Sequence, residues 1–302
     1  MKSAGIEILR TPPLEDIPKH KDLIYDVGMH KGEDTEFYLR KGFRVVAFEA
    51  DPDLAQLCRK RLKDYIDSGK LIVVEGAVLD EDAIVTKKTV QFFKNEKNSV
   101  WGTVSTNWAE RNEGLGCPSN TIEINTVDFV ATLKKYGMPR YLKIDIEGCD
   151  MVCVNALKKF HERPDFVSIE SGTNSFASIK REINTFKELG YEFFQIVEQS
   201  AITGQTPPNP PREGQYTPQH FEEGCSGLFG LELGDNWQTE HLILRRYRTI
   251  CFVLHVIGIV NKWKFRGSKR LRAITGKLLA RFAKESPWGW YDTHARHRNA
   301  LI

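Results

Sequence analysis

The chain has 302 residues, of which 41% are hydrophobic and 27% charged, so it is long enough to bury a full core in one large domain or in one domain with an appendage. No run approaches the roughly 18 apolar residues that span a bilayer, and the opening residues MKSAGIEILRTPPLEDIPKH contain no apolar stretch of signal-peptide length. The six cysteines form no CxxC pair, which is typical of reduced thiols. These features predict a cytoplasmic globular protein and argue against a membrane-spanning chain or a secreted disulfide scaffold.

Apolar runs of strand length alternate with helical patterns from residue 23 to about residue 200, which predicts a mostly parallel sheet with helices on both faces. The predicted strands are Leu23–Val27, Arg44–Glu49, Leu71–Glu75, Tyr141–Ile146, Phe166–Glu170 and Tyr191–Val197. Helices are predicted over Pro52–Tyr65, after the N-cap residue Asp51, and over Ser178–Leu189, before Gly190. An insert over residues 90–130, which carries Trp101 and Trp108, is expected to shape the substrate site.

The last part of the chain differs from the rest in charge. Residues 245–302 contain 14 Lys or Arg and two acidic residues, a net charge of +12 in a chain whose total is +3. The sequence there predicts a short strand at 242–244, then an amphipathic helix with Leu271, Ile274, Leu278 and Phe282 on one face. We interpret residues 246–302 as a basic helical extension that contacts an anionic partner; a solvated basic helix face is the alternative.

The first strand runs into a turn with the sequence DVGMHKGEDT, over residues 26–35, and then into a helix. Gly28 lets the backbone approach a ligand, Gly32 removes side-chain obstruction, and the helix offers free amide groups. Glu49 ends the second strand, where a carboxylate can accept both hydroxyl protons of a ribose. A nucleoside cofactor is therefore predicted. The GxGxxG pattern for NAD is incomplete, since His30 stands at the second glycine position, and this favours S-adenosylmethionine, which has no phosphate.

Two later segments add to this prediction. Small residues follow the third strand at Ala77 and Val78, where they could border an adenine ring. Asp145 lies at the carboxyl end of a buried strand, which is the edge where ligands bind in open α/β sheets. A buried acid without a partner is costly, so Asp145 is predicted to be a site residue. Glu147 has three interpretations: a helix cap, a substrate contact or a partner of Lys143.

The motifs DVGMHKGEDT, FEADP, EGAV, LKIDIEGCD, PDFVSIE and LGYEFF, taken in this order, resemble the FkbM family of S-adenosylmethionine-dependent methyltransferases over roughly residues 22–245. The resemblance is most specific at LKIDIEG, and SGLFGLELGDNW over residues 226–237 is similar to a late element of the family. It implies a class I methyltransferase fold, Rossmann-like, with a seven-stranded sheet whose last strand is antiparallel. It also implies O-methylation of hydroxyl groups on sugars, glycans or other natural products. The pair Met29-His30 departs from the small residues and asparagine that are more usual in the family.

Carried over by position, the resemblance implies that Asp26 and Gly28 lie at the methionine end of the cofactor, Glu49 at the ribose and Asp145 near the reacting centre. The predicted cofactor-binding residues are Asp26, Gly28, His30, Gly32, Thr35, Glu49, Ala77, Val78 and Asp145. A sugar hydroxyl is a poor acid, so a general base or a metal ion is expected. Asp145 and Glu170 are predicted either to hold Mg²⁺ together or to provide the base, with His220 or His241 as the alternative base.

The sequence thus predicts a methyltransferase domain over residues 1–245, which methylates a sugar hydroxyl of a glycan, polysaccharide or glycolipid, and the basic extension over residues 246–302. The expected partners are a small-molecule or glycan acceptor, lipid-linked or free, and the inner face of a membrane, but no nucleic acid. A polyketide or other small natural product is the nearest alternative acceptor. Two different classes of protein fit the sequence less well: a nicotinamide-dependent oxidoreductase and a non-catalytic glycan- or membrane-binding protein.

Overall fold

The structure, a computed structural model, describes residues 13–95, 97–172, 175–262 and 290–300, and the side chains of the last helix as far as residue 256. Within these residues the strands are β1 Lys19–Val27, β2 Arg44–Glu49, β3 Leu71–Glu75, β4 Ala77–Leu79, β5 Thr89–Asn95, β6 Ser119–Asp128, β7 Met138–Ile144, β8 Phe166–Glu170, β9 Tyr191–Glu198, β10 Gln238–Thr239 and β11 Tyr291–His297. The helices are α1 Glu33–Arg40, α2 Pro52–Arg61, α3 Lys63–Asp67, α4 Glu81–Thr86, α5 Thr106–Gly114, α6 Phe129–Tyr136, α7 Asp150–Ala156, α8 Phe176–Glu188 and α9 Glu240–Lys262.

The main sheet has eight strands in the order β10-β9-β11-β8-β7-β1-β2-β3. The five strands β8-β7-β1-β2-β3, which are consecutive in this sheet, are all parallel to their neighbours. Strand β11 lies between β8 and β9 and runs antiparallel to both. This arrangement confirms the predicted α/β class I fold, with a mostly parallel sheet and an antiparallel last strand. The sheet has eight strands and not the expected seven, because β10 pairs with β9 at the edge.

The residues that form the antiparallel strand differ from the prediction. Strand β11 comprises Tyr291–His297, which the sequence analysis assigned to a helical extension, so that part of the prediction is wrong. Its Tyr291 and Ala295 are fully buried and face the same side of the sheet, which is why this short segment pairs as a strand. The predicted strand at 242–244 is also wrong, since these residues lie in α9, where Ile243 and Tyr247 are buried one helical turn apart. The predicted helix around Leu271, Ile274, Leu278 and Phe282 lies outside the described residues.

Hydrophobic residues cover both faces of the sheet. One face packs against α6, α7, α8 and α9, and the other packs against α1, α2 and the loop over residues 202–233. All seven residues of β7 are buried, as expected of a central parallel strand covered on both sides. The predicted helix over Pro52–Tyr65 is divided at Leu62 into α2 and α3, and its N-cap is confirmed, since Asp51 accepts a hydrogen bond from the amide of Asp53. Within the described residues, no helix combines the length and the apolar character that crossing a bilayer requires.

The predicted insert contains β5, α5 and β6, and its two strands join the preceding β4 in a second, three-stranded sheet in the order β4-β6-β5. It is tied to the main sheet at the loop after β7, where the Thr103 hydroxyl donates to the carbonyl of Glu147 at 3.0 Å. The proline-rich loop near residue 210 is anchored elsewhere. Its Glu213 receives two hydrogen bonds of 2.9 Å from Arg140, near the start of β7. The insert, and not this proline-rich segment, therefore lies beside the carboxyl ends of the strands.

Candidate functional site

A cavity of about 600 Å³ lies at the carboxyl ends of β1, β2, β7 and β8, between the main sheet and the insert. Its volume is in the range of small-molecule and cofactor sites. Of the predicted site residues, those that line the cavity are Gly28, His30, Glu49, Ala77, Val78, Asp145 and Glu170. The structure therefore brings together residues from five separate segments at the sheet edge where ligands bind in such folds.

Gly28 fixes the turn after β1 against the turn after β7. Its backbone has a φ of 89°, and a Cβ atom added there would lie 1.9 Å from the carbonyl oxygen of Asp145. The amide groups of Gly28 and Met29 donate to the carbonyl of Phe48 at 3.1 and 2.9 Å. The glycine is thus required by contact between two turns of the protein as well as by its place in the cavity wall.

His30 connects the first turn to the second strand and to the insert. It adopts a left-handed backbone conformation, with a φ of 52°. Its amide donates to the Oε2 atom of Glu49 at 2.8 Å, and its ring Nε2 lies 2.8 Å from the hydroxyl of Ser99. This geometry gives His30 a positioning role that the sequence did not indicate.

Glu49 is 7% exposed at the end of β2. Each of its oxygens accepts one backbone hydrogen bond, from His30 and from Asp51, both at 2.8 Å. Burial raises the pKa of Glu49 to about 7. A carboxylate oxygen can accept more than one hydrogen bond, so Glu49 retains the capacity to bind the two hydroxyl groups of a ribose.

Three predicted cofactor-binding residues, Asp26, Gly32 and Thr35, do not line the cavity. Asp26 is fully buried below the turn, where it accepts a hydrogen bond of 2.6 Å from the Thr35 hydroxyl. Gly32, with a φ of 80°, precedes α1 as its N-cap residue. Asp26 in β1 and Thr35 in α1 are thus joined behind the turn, on the side away from the cavity, and Gly32 begins the helix that carries Thr35.

Lys143 lies behind the same turn and was not predicted as a site residue. Its ammonium group donates to the carbonyl of Gly28 at 2.7 Å and lies 3.1 Å from a carboxylate oxygen of Asp26. It is also 3.8 Å from Asp34 and 4.0 Å from Asp145. Asp34 in turn accepts the amide of Ser226, at 2.9 and 3.1 Å. One buried cation therefore links the turns after β1 and β7 to the late SGLFG segment.

Four carboxylates lie together in the cavity wall: Asp145, Glu147, Glu170 and Asp292. Glu170 and Asp292 face each other on paired strands, with Glu170 at the end of β8. Burial, and then repulsion from Asp145, raise the pKa of Glu170 to about 10, that of Glu147 to about 8 and that of Asp292 to about 8. Asp292 was missed because it lies in β11, and an acid inside a buried strand was the signal that could have identified it.

The structure gives little support to the predicted metal site or to a histidine as the general base. Among the described residues, no group of three or more His, Cys, Asp or Glu side chains is arranged to hold a metal ion, so the pair Asp145 and Glu170 lacks a third protein ligand of these types. His220 and His241 are exposed and do not line the cavity. The loop that carries His220 does reach the cavity through Glu223 and Gly224, but neither histidine lines it, so the structure gives no support to His220 or His241 as the base.

A different set of side chains forms the wall beside Glu170 and Asp292. Trp290 is 52% exposed and lines the cavity, together with the polar residues Gln199, Ser200 and Thr203. Gln199 donates from its amide to Asp292. An aromatic ring beside several hydrogen-bonding groups is suited to a ligand that has both an apolar face and hydroxyl groups.

The two tryptophans of the insert have different positions. Trp101 lines the cavity, whereas Trp108 packs behind it. The guanidinium group of Arg111 lies 5.6 Å from the ring of Trp101 and 4.7 Å from the ring of Trp108. A Cβ atom added to Gly148 would lie 2.3 Å from the indole nitrogen of Trp108. Trp108 thus braces the loop after β7, and Trp101 is the tryptophan of the insert that can contact a ligand.

The charge of the cavity indicates which nucleoside it can hold. Of the described residues that line it, Lys143 is the one Lys or Arg, against nine carboxylate side chains: Glu33, Asp34, Glu49, Asp51, Asp145, Glu147, Glu170, Glu223 and Asp292. Glu147, Glu170 and Asp292 are largely protonated near neutral pH because of their raised pKa values, but six acidic side chains remain against one cation. Such a site repels the pyrophosphate of a nicotinamide dinucleotide and attracts a cation such as a sulfonium. The electrostatics therefore favour S-adenosylmethionine over NAD.

Comparison with known proteins gives one family. The family model described as the methyltransferase FkbM domain matches residues 26–193, just over half of the chain. Comparison with curated proteins gives no match. Similar solved structures include S-adenosylmethionine-dependent methyltransferases from Thiobacillus denitrificans and Geobacter sulfurreducens, both in complex with S-adenosyl-L-homocysteine. Each is 9% identical and covers 93% of this chain and 86% of its own, with TM-scores of 0.33 and 0.32. A precorrin 8W decarboxylase from Methanobacterium thermoautotrophicum is 12% identical and covers 60% of this chain and 70% of its own, with a TM-score of 0.33.

Proposed function

The chain belongs to the FkbM family of S-adenosylmethionine-dependent methyltransferases, and on this basis we propose that it methylates a hydroxyl group of a sugar in a glycan, polysaccharide or glycolipid. The observation that carries this proposal is the composition of one cavity wall. There the carboxylates Glu170 and Asp292 adjoin an exposed tryptophan ring, Trp290, and the hydroxyl and amide groups of Ser200 and Gln199. A sugar presents a C–H face to an aromatic ring and hydroxyl groups to such polar side chains.

The opposite half of the cavity fits S-adenosylmethionine. We assign Glu49 to the ribose, Ala77 and Val78 to the adenine, and the turn at Gly28 to the methionine end. The buried Glu49 carboxylate supports the first assignment, because it retains acceptor capacity toward two neighbouring hydroxyl groups. When bound, S-adenosylmethionine supplies a methyl group on a positively charged sulfur.

The chain's residues then have two tasks. Positioning the acceptor oxygen in line with the methyl group supplies much of the acceleration, and we assign this to Trp290 and its polar neighbours. The hydroxyl must also lose its proton, and we assign Glu170 as the acceptor of that proton. With a pKa of about 10 in the chain without cofactor, Glu170 is protonated near neutral pH and must lose that proton first; the ionised form is then a stronger base than an ordinary carboxylate. Asp145, whose side chain is 40% exposed and lies 4.0 Å from the ammonium group of Lys143, is assigned to the same part of the cavity.

The decisive experiment measures transfer of a labelled methyl group from S-adenosylmethionine to a panel of nucleotide sugars, free glycans and lipid-linked saccharides. We expect labelled product with a sugar acceptor. Parallel reactions with a chelator test whether Mg²⁺ takes part at Asp145 and Glu170. Labelling of polyketide-like phenols but of no saccharide would refute the sugar assignment. Binding of NADH without binding of S-adenosylmethionine would refute the cofactor assignment.

A pair of variants tests the base. Glu170→Gln should lower kcat by about 10² to 10⁴ and leave the dissociation constant of S-adenosylmethionine nearly unchanged, because only proton transfer is lost. Glu182→Gln is the matched control: this buried carboxylate also has a raised pKa, but it does not line the cavity. A kcat for Glu170→Gln equal to that of the control would remove Glu170 from the mechanism.

A further inference from the structure

Helix α9 runs past the edge of the sheet that holds the cavity. It begins beside the end of α8, where Glu240 pairs with Lys187, and later the Arg248 guanidinium lies 5.2 Å from the ring of Phe176, the first residue of α8. Since α8 leads from the carboxyl end of β8 back to the start of β9, α9 runs in the opposite direction, toward the cavity edge. At 1.5 Å per residue, the residues after Arg248 extend the helix by about 20 Å to Lys262.

The exposed side of α9 combines cations with apolar groups. The cations are Arg245 and Arg248, which are exposed at helical spacing with Phe252, and Phe252 is 62% exposed. Leu242 is 48% exposed on the same side. The opposite side packs into the core through Ile243, Tyr247, Ile250 and Val253. The exposed side is thus a stable surface presented by a helix that is firmly attached to the domain.

The sequence of this region selects the kind of partner. Helix α9 contains one acidic residue, Glu240, and residues 250–260 read ICFVLHVIGIV, a run without Lys, Arg, Asp or Glu. Residues 245–302 as a whole carry a net charge of +12. Such a pattern of cations beside apolar residues is typical of segments that lie in a membrane interface. Nucleic acid or an acidic glycan would offer charge without hydrocarbon, and a second copy of this region would bring the same positive charge.

The cavity mouth lies on the side toward which α9 extends. Trp290, in the cavity wall, directly precedes β11, and the first residue of that strand, Tyr291, is paired with Glu198 at the carboxyl end of β9. We propose that α9, through its exposed side with Arg245, Arg248 and Phe252, docks on an anionic phospholipid bilayer. Docking there brings the cavity mouth to acceptors carried by the bilayer. The orientation of the cavity toward these acceptors rests on the proposed function, whereas the docking of α9 does not.

The docking is tested with the full chain by flotation with vesicles of phosphatidylcholine, with and without one-third phosphatidylglycerol. We expect binding to the anionic vesicles that weakens at high salt. The double variant Arg245→Glu/Arg248→Glu should lower partitioning at least tenfold, and Phe252→Ser several-fold. The matched controls are Lys60→Glu and Val85→Ser, which alter an exposed cation and an exposed apolar residue on other helices and should bind as the unaltered chain does.

Three results would overturn the docking: no flotation with anionic vesicles, equal flotation of the α9 variants and the controls, or self-association that Phe252→Ser abolishes without any vesicle binding. Flotation is measured without an acceptor, so its outcome is independent of methyl transfer. The orientation is tested by comparing a lipid-linked saccharide in vesicles with its soluble fragment. The unaltered chain should prefer the vesicle-borne form, and Arg245→Glu/Arg248→Glu should lose that preference while its rate on the soluble form stays unchanged. An equal preference in both proteins would refute the orientation.

Discussion

The contact between Gly28 and Asp145 predicts a specific cost for adding one methyl group. Gly28→Ala places a Cβ atom 1.9 Å from the Asp145 carbonyl oxygen at a φ of 89°, so the two turns must separate by about 1 Å before the atoms reach 3.0 Å. The positive φ costs an alanine about 1–2 kcal/mol, and overpacking a close-packed site costs about 1–3 kcal/mol more. We expect a total loss of about 2–5 kcal/mol in the free energy of unfolding.

Gly69→Ala is the matched control for this substitution. Gly69 has a φ of 71°, and an added Cβ would have no atom within 4 Å, so this variant carries the backbone cost alone. Replacing glycine by alanine also lowers the conformational entropy of the unfolded chain, which stabilises both variants equally, so this effect cancels when the two are compared. Gly69→Ala should therefore lose about 1–2 kcal/mol.

Urea unfolding measures both losses, from midpoints compared at equal m-values. Gly28→Ala should also bind S-adenosylmethionine at least about tenfold more weakly, because the two turns that line the cavity have moved apart. Calorimetry measures this affinity. Equal stability and equal cofactor affinity in the two variants would refute the role of this contact.

Three further predictions concern the same cavity. Without cofactor, the free energy of unfolding should fall as the pH rises from about 5 to about 9. Glu170 and Asp292, with pKa values of about 10 and about 8, bind protons in the folded chain that the unfolded chain has released. Urea unfolding at several pH values should give a flatter profile for Glu170→Gln than for the unaltered chain, and an equal slope would contradict this prediction. Lys143→Met leaves Asp26 buried without its cation and should cost about 3–5 kcal/mol in urea unfolding, whereas a loss below 1 kcal/mol would contradict the linking role. Trp290→Ala should raise the KM for the acceptor about tenfold without changing the affinity for S-adenosylmethionine, and an unchanged KM would remove Trp290 from the acceptor site.

Much of the fold followed from local pattern. The bounds of β2, β3 and β8 agree with the predicted segments at both ends, because each is a short apolar run bounded by turn residues. The cavity residues Gly28, Glu49 and Asp145 could also be identified, since each directly follows or ends such a strand and parallel strands bring these ends to one edge. Residues that reach the cavity only through pairing with a neighbouring strand could not be assigned to it in this way.

The sequence by itself therefore determined the parallel core and the part of the cavity that we assign to the cofactor, whose residues lie at or just after the ends of strands. Only the tertiary structure decided the part that we assign to the acceptor. Asp292 reaches Glu170 because β11 inserts between β8 and β9, and Lys143 reaches Gly28 because β1 and β7 are adjacent. These contacts join residues more than one hundred positions apart, and no local periodicity carries information about such a partner.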